Sequence, residues 1–140
     1  MSEPLTFEFI VDGENFTSAG EASVAMKKHL RKLGFSPETI RKVSIAMYEG
    51  EINMVIHAGG GEANVIIYED RIEIDLIDNG PGIANIDLAM QEGFSTAPDN
   101  IRSLGFGAGM GLPNMKRYTD SMQIDSKLGH GTRILMTVML

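Results

Sequence analysis

Glu49 and Asn53 stand four residues apart in a stretch, Pro37 to Ala58, that is otherwise largely apolar. At the helical repeat of about 100° per residue, that spacing puts both side chains on one face, about one turn from each other. Val43, Met47, Met54 and Ala58 fall on one side of the same helix. Ile45, Ala46, Ile52 and Ile56 fall towards the other and border the Glu–Asn face. A helix that is apolar nearly all round is buried, and a carboxylate in such a setting is costly unless something pairs with it. One reading is structural, with Glu49 bonded to a neighbouring side chain. The other is chemical: Asn53 supplies an oxygen to a hard cation while Glu49 acts as a base nearby. Mg2+ suits that arrangement, because it takes few protein oxygens and keeps several waters and substrate phosphates. Glu51 points roughly the opposite way and cannot share a site with Asn53.

Two glycine-containing segments add to this pair. Asp78-Asn79-Gly80-Pro81-Gly82 follows directly on a strand-like run, and its glycines permit a sharp turn and close backbone approach. Asp78 at the strand end could accept a hydrogen bond from an exocyclic amino group such as adenine's, although taken alone such a segment is more often just a turn. Gly105-Phe106-Gly107-Ala108-Gly109-Met110-Gly111 runs straight into a helical segment at Leu112. Backbone amides freed of side chains at a helix start form a phosphate cradle; the alternative is a merely flexible loop. The spacing is not G-x-x-x-x-G-K-[ST], and Met110 stands where G-x-G-x-x-G needs its third glycine, so both familiar nucleotide folds are disfavoured.

The elements that must position these residues are legible from periodicity. Leu5 to Val11 reads as a first strand, with a turn at Asp12-Gly13. Ser18 and Glu21 have the spacing of a capping box, and Ala22, Met26, Leu30 and Leu33 repeat at helical spacing until Gly34. Lys27, Lys28, Arg31 and Lys32 on that helix read as a solvated face. Ser36-Pro37 opens the second helix, Ser as N-cap and Pro at the first helical position, and Gly59, Gly60 and Gly61 end it after Ala58. Val65 to Tyr68 and Arg71 to Asp78 read as a strand pair around Glu69-Asp70, with Ile72, Ile74 and Leu76 alternating against Glu73 and Asp75. Pro81 to Leu104 carries no strong periodicity, which inside a compact domain marks a functional or mobile stretch. Leu112 to Tyr118 restarts a short helix, and Met122 to Asp125 and Thr132 to Leu140 close the chain as strands around Gly129-His130-Gly131. This order predicts an α/β two-layer sandwich, with helices on one face of a mixed, mostly antiparallel sheet. Met26, Met47, Met54, Met115, Met122, Met136 and Met139 fall largely at core-facing positions.

Composition bounds the function. The 140 residues suggest one domain, residues 1–140. A net charge of −7 argues against a phosphate-tracking nucleic-acid surface and against an anionic membrane partner. No apolar run approaches the ~20 residues of a membrane span. The start MSEPLTFEF has neither the basic nor the apolar region of a secretion signal, so a cytoplasmic protein is expected. The absence of cysteine excludes disulfides, thiol nucleophiles and thiolate metal sites.

Taken in order, E-x-x-x-N on a helix, D-x-G-x-G, G-x-G-x-G-x-G before a helix and G-x-G-T before the last strand are far more specific than any one of them. At that level the chain resembles the GHKL ATPase superfamily, which uses the Bergerat ATP-binding fold, over essentially its whole length. YEGEINMVIHA, DNGPGI, EGFSTAPDNIRSLGFGAGMGLPNMKRYTD and GHGT look like the small anti-sigma-factor and stress-switch serine kinases. The resemblance implies ATP and Mg2+ as cofactors. It implies Glu49 as general base, Asn53 as the Mg2+ ligand, and Asp78 as the adenine-specific aspartate, with Gly80, Gly82 and Ile83 in and after its turn. Gly105, Gly107, Gly109, Gly111 and Leu112 match the phosphate-binding lid, and Thr132 the threonine that helps hold adenine. His57 falls in the N-x-x-x-H-A stretch, where a structural place or one near phosphate is expected rather than phospho-acceptance. Many relatives carry a lysine after the F-[ST]-T of the lid, where this chain has Ala97, so Arg102 is the best remaining cation for the γ-phosphate.

The function implied is a serine/threonine protein kinase acting on a small antagonist-type (anti-anti-sigma) domain, with a sigma factor as a second partner and homodimerisation expected. An ATP-gated binding module without transfer is the first alternative. The second is a detached histidine-kinase catalytic domain, which the lack of room for a phospho-acceptor hairpin disfavours.

Overall fold

The computed structural model describes residues 3–13, 20–82, 90 and 111–140. Among the described residues, five strands and three helices follow one another as β1 (Leu5–Asp12), α1 (Glu21–Lys32), α2 (Pro37–Ala58), β2 (Gly60–Ile67), β3 (Arg71–Asp78), α3 (Gly111–Arg117), β4 (Ser121–Lys127) and β5 (Gly131–Met139). The strands form one sheet in the order β1-β2-β3-β5-β4, and every neighbouring pair is antiparallel. The expected two-layer α/β architecture is present, with a sheet that is antiparallel throughout the described strands rather than mixed.

Alternation along the strands decides which face the helices cover. Ala63, Val65 and Ile67 of β2, Ile72, Ile74 and Leu76 of β3, and Ile134, Met136 and Val138 of β5 are buried against Val43, Met47, Met54 and Val55 of α2 and Met26 and Leu30 of α1. Hydrophobic burial of this kind is the main favourable term in folding. Met26, Met47, Met115 and Met136 are fully buried and Met54 nearly so, as expected, but Met139 is half exposed at the end of its strand. On the uncovered face, Asp75 lies under a bidentate pair with Arg133, at 2.9 and 2.8 Å.

Local chemistry sets the helix ends. The Ser36 hydroxyl accepts from the Thr39 amide at 3.2 Å, Pro37 follows it, and Gly59 closes α2 at φ 73°. The N-cap of α1 differs from the expected Ser18: it is Gly20, at φ 97° and with no side-chain cap bond; Ser18 lies outside the described residues. β2 also begins earlier than the Val65 start expected, directly at Gly60, because Gly60 and Gly61 pair with Asp12 and Val11 of β1. Glycines that read as a helix stop also let backbones close up, since a Cβ on Gly60 would collide with the Val11 carbonyl. Where α2 crosses the sheet, Gly50 lies against Leu76 with no room for a methyl group.

Candidate functional site

Three elements build the site. α2 carries Glu49 and Asn53, and the first turn of α3 covers both. Asn114 Nδ2 donates to Glu49 Oε1 at 3.3 Å, and Asn53 Nδ2 points at the Met115 sulfur at 3.9 Å. With its nitrogen turned to the sulfur, Asn53 keeps its carbonyl oxygen clear of any described donor. Gly111 opens α3 so close to Asn53 that a Cβ there would come within 2.8 Å of its amide nitrogen. Glu49 and Asn53 are both half-buried, so the carboxylate is neither fully desolvated nor free in solvent.

The end of the sheet supplies the third element. On the helix-covered face, Ile74, Met136 and Met122 form one row across β3, β5 and β4. Leu76, Ile134 and Ile124 form the next, and Asp78, Thr132 and Ser126 the one after that. Two apolar rows thus give way to a polar one where the hydrophobic layer ends. Thr132 is buried, with its hydroxyl 2.8 Å from that of Ser126. Asp78 Oδ1 accepts from the Gly80 amide at 2.9 Å, which fixes the carboxylate over its own turn. That turn is pressed against two neighbours. A Cβ on Gly80 would come within 2.6 Å of the Ala58 methyl at the end of α2, and the Gly129 amide donates to the Pro81 carbonyl at 2.8 Å. Gly82, at φ 78°, takes a conformation that favours glycine. The helix bearing Glu49 and Asn53 therefore ends on the loop that holds Asp78.

Glu51, two residues from Glu49, does a different job. It is 2% exposed and faces α1, as its helical position predicts. Its Oε2 accepts from the amides of Gly20 and Ala22 at 2.9 and 3.2 Å, and its Oε1 from that of Ser23 at 2.6 Å. These amides belong to the α1 N-terminus, whose first donors have no partner within their own helix. Glu51 is thus the cap that Gly20 cannot provide. Burial raises its carboxyl above the ordinary range, against the opposing pull of the Ser23, Ala22 and Gly20 amides.

Of the residues singled out in the sequence, Glu49, Asn53, Asp78, Gly80, Gly82, Gly111 and Thr132 occupy these two adjoining places. Leu112 packs in the hydrophobic core, and the His57 residue is exposed in the last turn of α2. Ile83, Arg102, Gly105, Gly107 and Gly109 lie outside the described residues, as does Ala97. Asn114 and Glu51 fall inside two of the segments that carry the resemblance and Ser126 in none, but the sequence alone assigns no site role to any of the three. Ser126 does leave a signal, because it extends the alternation of Met122 and Ile124. Asn114 and the Glu51 contacts join residues at least 28 apart and carry no local signal. A surface groove of about 360 Å³ lies elsewhere, lined by Gly20, Glu21, Val24, Ala25, Lys28 and Tyr48, and contains none of the expected site residues.

A helix-borne Glu–Asn pair beside a strand-end aspartate, on an antiparallel sheet covered by helices on one face, defines a class of nucleotide-binding domain. Residues 40–140 match the family described as histidine kinase-, DNA gyrase B-, and HSP90-like ATPase. The chain belongs to this family, whose nucleotide is ATP. Within it, the similarity extends over nearly the whole chain to proteins named anti-sigma F factor. That of Clostridium beijerinckii is 31% identical over 138 residues, covering 94% of this chain and 91% of the relative. That of Clostridium kluyveri is 32% identical over 137 residues, with 94% and 91% covered. Among solved structures, the fold is similar to the RsbU and RsbW domains of a Mycobacterium tuberculosis protein, with TM-score 0.60, 16% identity, and 98% of this chain and 32% of that one covered. It is also similar to the SiaB–SiaC complex from Pseudomonas aeruginosa, with TM-score 0.56, 12% identity, and 97% and 89% covered. The resemblance drawn from the motifs is borne out at the level of family and fold. Among the described residues, no helix is long and apolar enough to cross a membrane.

Proposed function

We propose that this protein is an ATP- and Mg2+-dependent serine/threonine kinase that phosphorylates a small anti-anti-sigma-type domain and regulates by exchanging partners. The observation that carries this reading is the half-buried Glu49 carboxylate, held by one described donor and one helical turn from the Asn53 oxygen, which accepts from no donor among the described residues. The donor set fits a nucleotide with its metal, since Asn53 offers an amide oxygen to a hard cation and Asp78 a carboxylate to a base amino group, while Gly80 and Gly111 let the backbone close on Ala58 and Asn53 where a Cβ would collide. Asn53 would hold Mg2+, which when bound neutralises phosphate charge. Asp78 would accept from the adenine amino group, with Thr132 beside it.

Glu49 would take the proton of a serine hydroxyl as that oxygen bonds to the γ-phosphorus, while the bond from phosphorus to the β–γ bridging oxygen breaks and ADP leaves. Positioning and charge stabilisation do most of the work in such a reaction, and Arg102 is the cation proposed for it. The anti-sigma F factor names of the relatives support a sigma factor as the protein released or held. Homodimerisation and a cytoplasmic location belong to the same reading.

The test is label transfer from γ-labelled ATP with Mg2+ to a serine-bearing anti-anti-sigma domain. Phosphoserine on the partner is the expected result. A nucleotide-dependent complex without label would replace the kinase by a nucleotide-gated binding module.

A further inference from the structure

We infer that Asn114 is a positioning residue for the Glu49 carboxylate: its side-chain amide fixes one carboxylate oxygen so that the other is presented to the attacking hydroxyl. The inference rests on the kinase reading of Glu49 and extends it to a residue on a different element.

The geometry is particular. Among the described residues, Asn114 Nδ2 is the donor that reaches Glu49, at 3.3 Å to Oε1, across a sequence separation of 65. The alternative amide orientation would set the Asn114 oxygen against a carboxylate oxygen, so the donor must face Glu49. One neutral donor on one oxygen orients the carboxylate about its last side-chain torsion. It leaves lone pairs on Oε2 to accept a proton. A general base needs this arrangement: a partner that orients it and an unblocked atom that reacts. The length of the bond, at the weak end of the range, is also what a catalytic contact shows before substrate tightens it. Glu51 gives the counter-example, because three amides occupy both its oxygens and it has no such atom to offer.

Asn114 also has a fixed seat. Its neighbour Met115 is fully buried and touches Asn53, and Gly111 packs on the same Asn53 amide. The first turn of α3 is therefore anchored on the residue one helical turn beyond Glu49. A side chain on a rigid seat holds its target better than one on a loop.

Two substitutions separate positioning from packing. Asn114→Asp keeps the shape and removes the donor; Asn114→Gln keeps the amide. In label-transfer assays with ATP, Mg2+ and a serine-bearing partner domain, Asn114→Asp is expected to lower kcat about 10- to 100-fold with the KM for ATP within about twofold. Asn114→Gln should recover part of that loss. An unchanged kcat in Asn114→Asp, or a loss carried by KM alone, overturns the inference.

A second measurement needs no activity. In the nucleotide-free chain, Glu49→Gln combined with Asn114→Asp restores the hydrogen bond with donor and acceptor exchanged. It should therefore melt above Asn114→Asp alone, and strict additivity of the two changes would overturn the contact. A wild-type chain that transfers no phosphate would remove the kinase reading only, while the melting cycle would still decide whether the two side chains interact.

Discussion

Glu49 and Glu51 are two residues apart on one helix and occupy opposite electrostatic worlds. Glu51 faces α1, is 2% exposed and has both oxygens filled by three backbone amides. Glu49 faces α3, is half-buried and has one described donor on one oxygen. The difference teaches how to tell a structural carboxylate from a reactive one. Burial alone does not mark the reactive group. A carboxylate whose lone pairs are all satisfied by backbone is part of the scaffold, whereas one oriented but incompletely satisfied retains capacity for a proton or a ligand.

The comparison breaks first at Glu49. Glu49→Gln should lower phosphoryl transfer by about 10²- to 10⁴-fold, the usual worth of a general base, while ATP binding and the melting temperature stay near wild type. Transfer that survives in this variant would take Glu49 out of the chemistry.

Glu51→Ala should do the reverse. It strands three buried amides at the α1 N-terminus and should cost roughly 3 kcal/mol of stability, seen as a lower midpoint in urea unfolding. A variant as stable as wild type would mean that water replaces the carboxylate at no loss.

Asp78→Asn sharpens the contrast from the sheet side. Replacing a charged acceptor by an amide should weaken ATP by about 10- to 100-fold and erode its preference over GTP. Equal ratios of ATP to GTP affinity in variant and wild type would argue that adenine is read elsewhere. Gly50→Ala, between the two glutamates, adds a methyl group against Leu76 and should cost about 1–3 kcal/mol by overpacking, again read from urea midpoints.

The smallest effect is the pH dependence of Glu51. Burial raises its carboxyl in the folded chain above the ordinary value of 4.5. The native state therefore binds this proton more tightly than the unfolded state does. The stabilisation is fully present below about pH 4.5 and is lost as pH rises through the folded value, with a slope of at most ~1.4 kcal/mol per pH unit. Unfolding free energies of wild type and Glu51→Gln, measured from pH 4 upward, should converge or cross in that direction. A difference that grows in favour of wild type with pH would reverse the sign and show that the amides outweigh burial.

Much of the fold and of the site is legible in the order of the amino acids. The spacing of Glu49 and Asn53, the Ser36-Pro37 start and Gly59 stop of α2, and the alternation of Ile72, Ile74 and Leu76 each follow from a local period or a cap. The α1 N-terminus is not legible in this way, because Ser18 and Glu21 have capping spacing while the cap comes from Glu51 on another helix. Nor is the early start of β2, because Gly60 and Gly61 are turn residues by composition and strand residues only by their pairing with β1.

By itself, then, the sequence determined the periodic elements, the side of α2 that carries Glu49 and Asn53, and the family, because these depend on spacings of a few residues along one chain. Tertiary structure alone decided that Asn114 meets Glu49, that Glu51 closes α1, and that Asp78, Thr132 and Ser126 line up in one row. Those contacts depend on how separate elements come to rest against each other, and packing and register, not local spacing, set that.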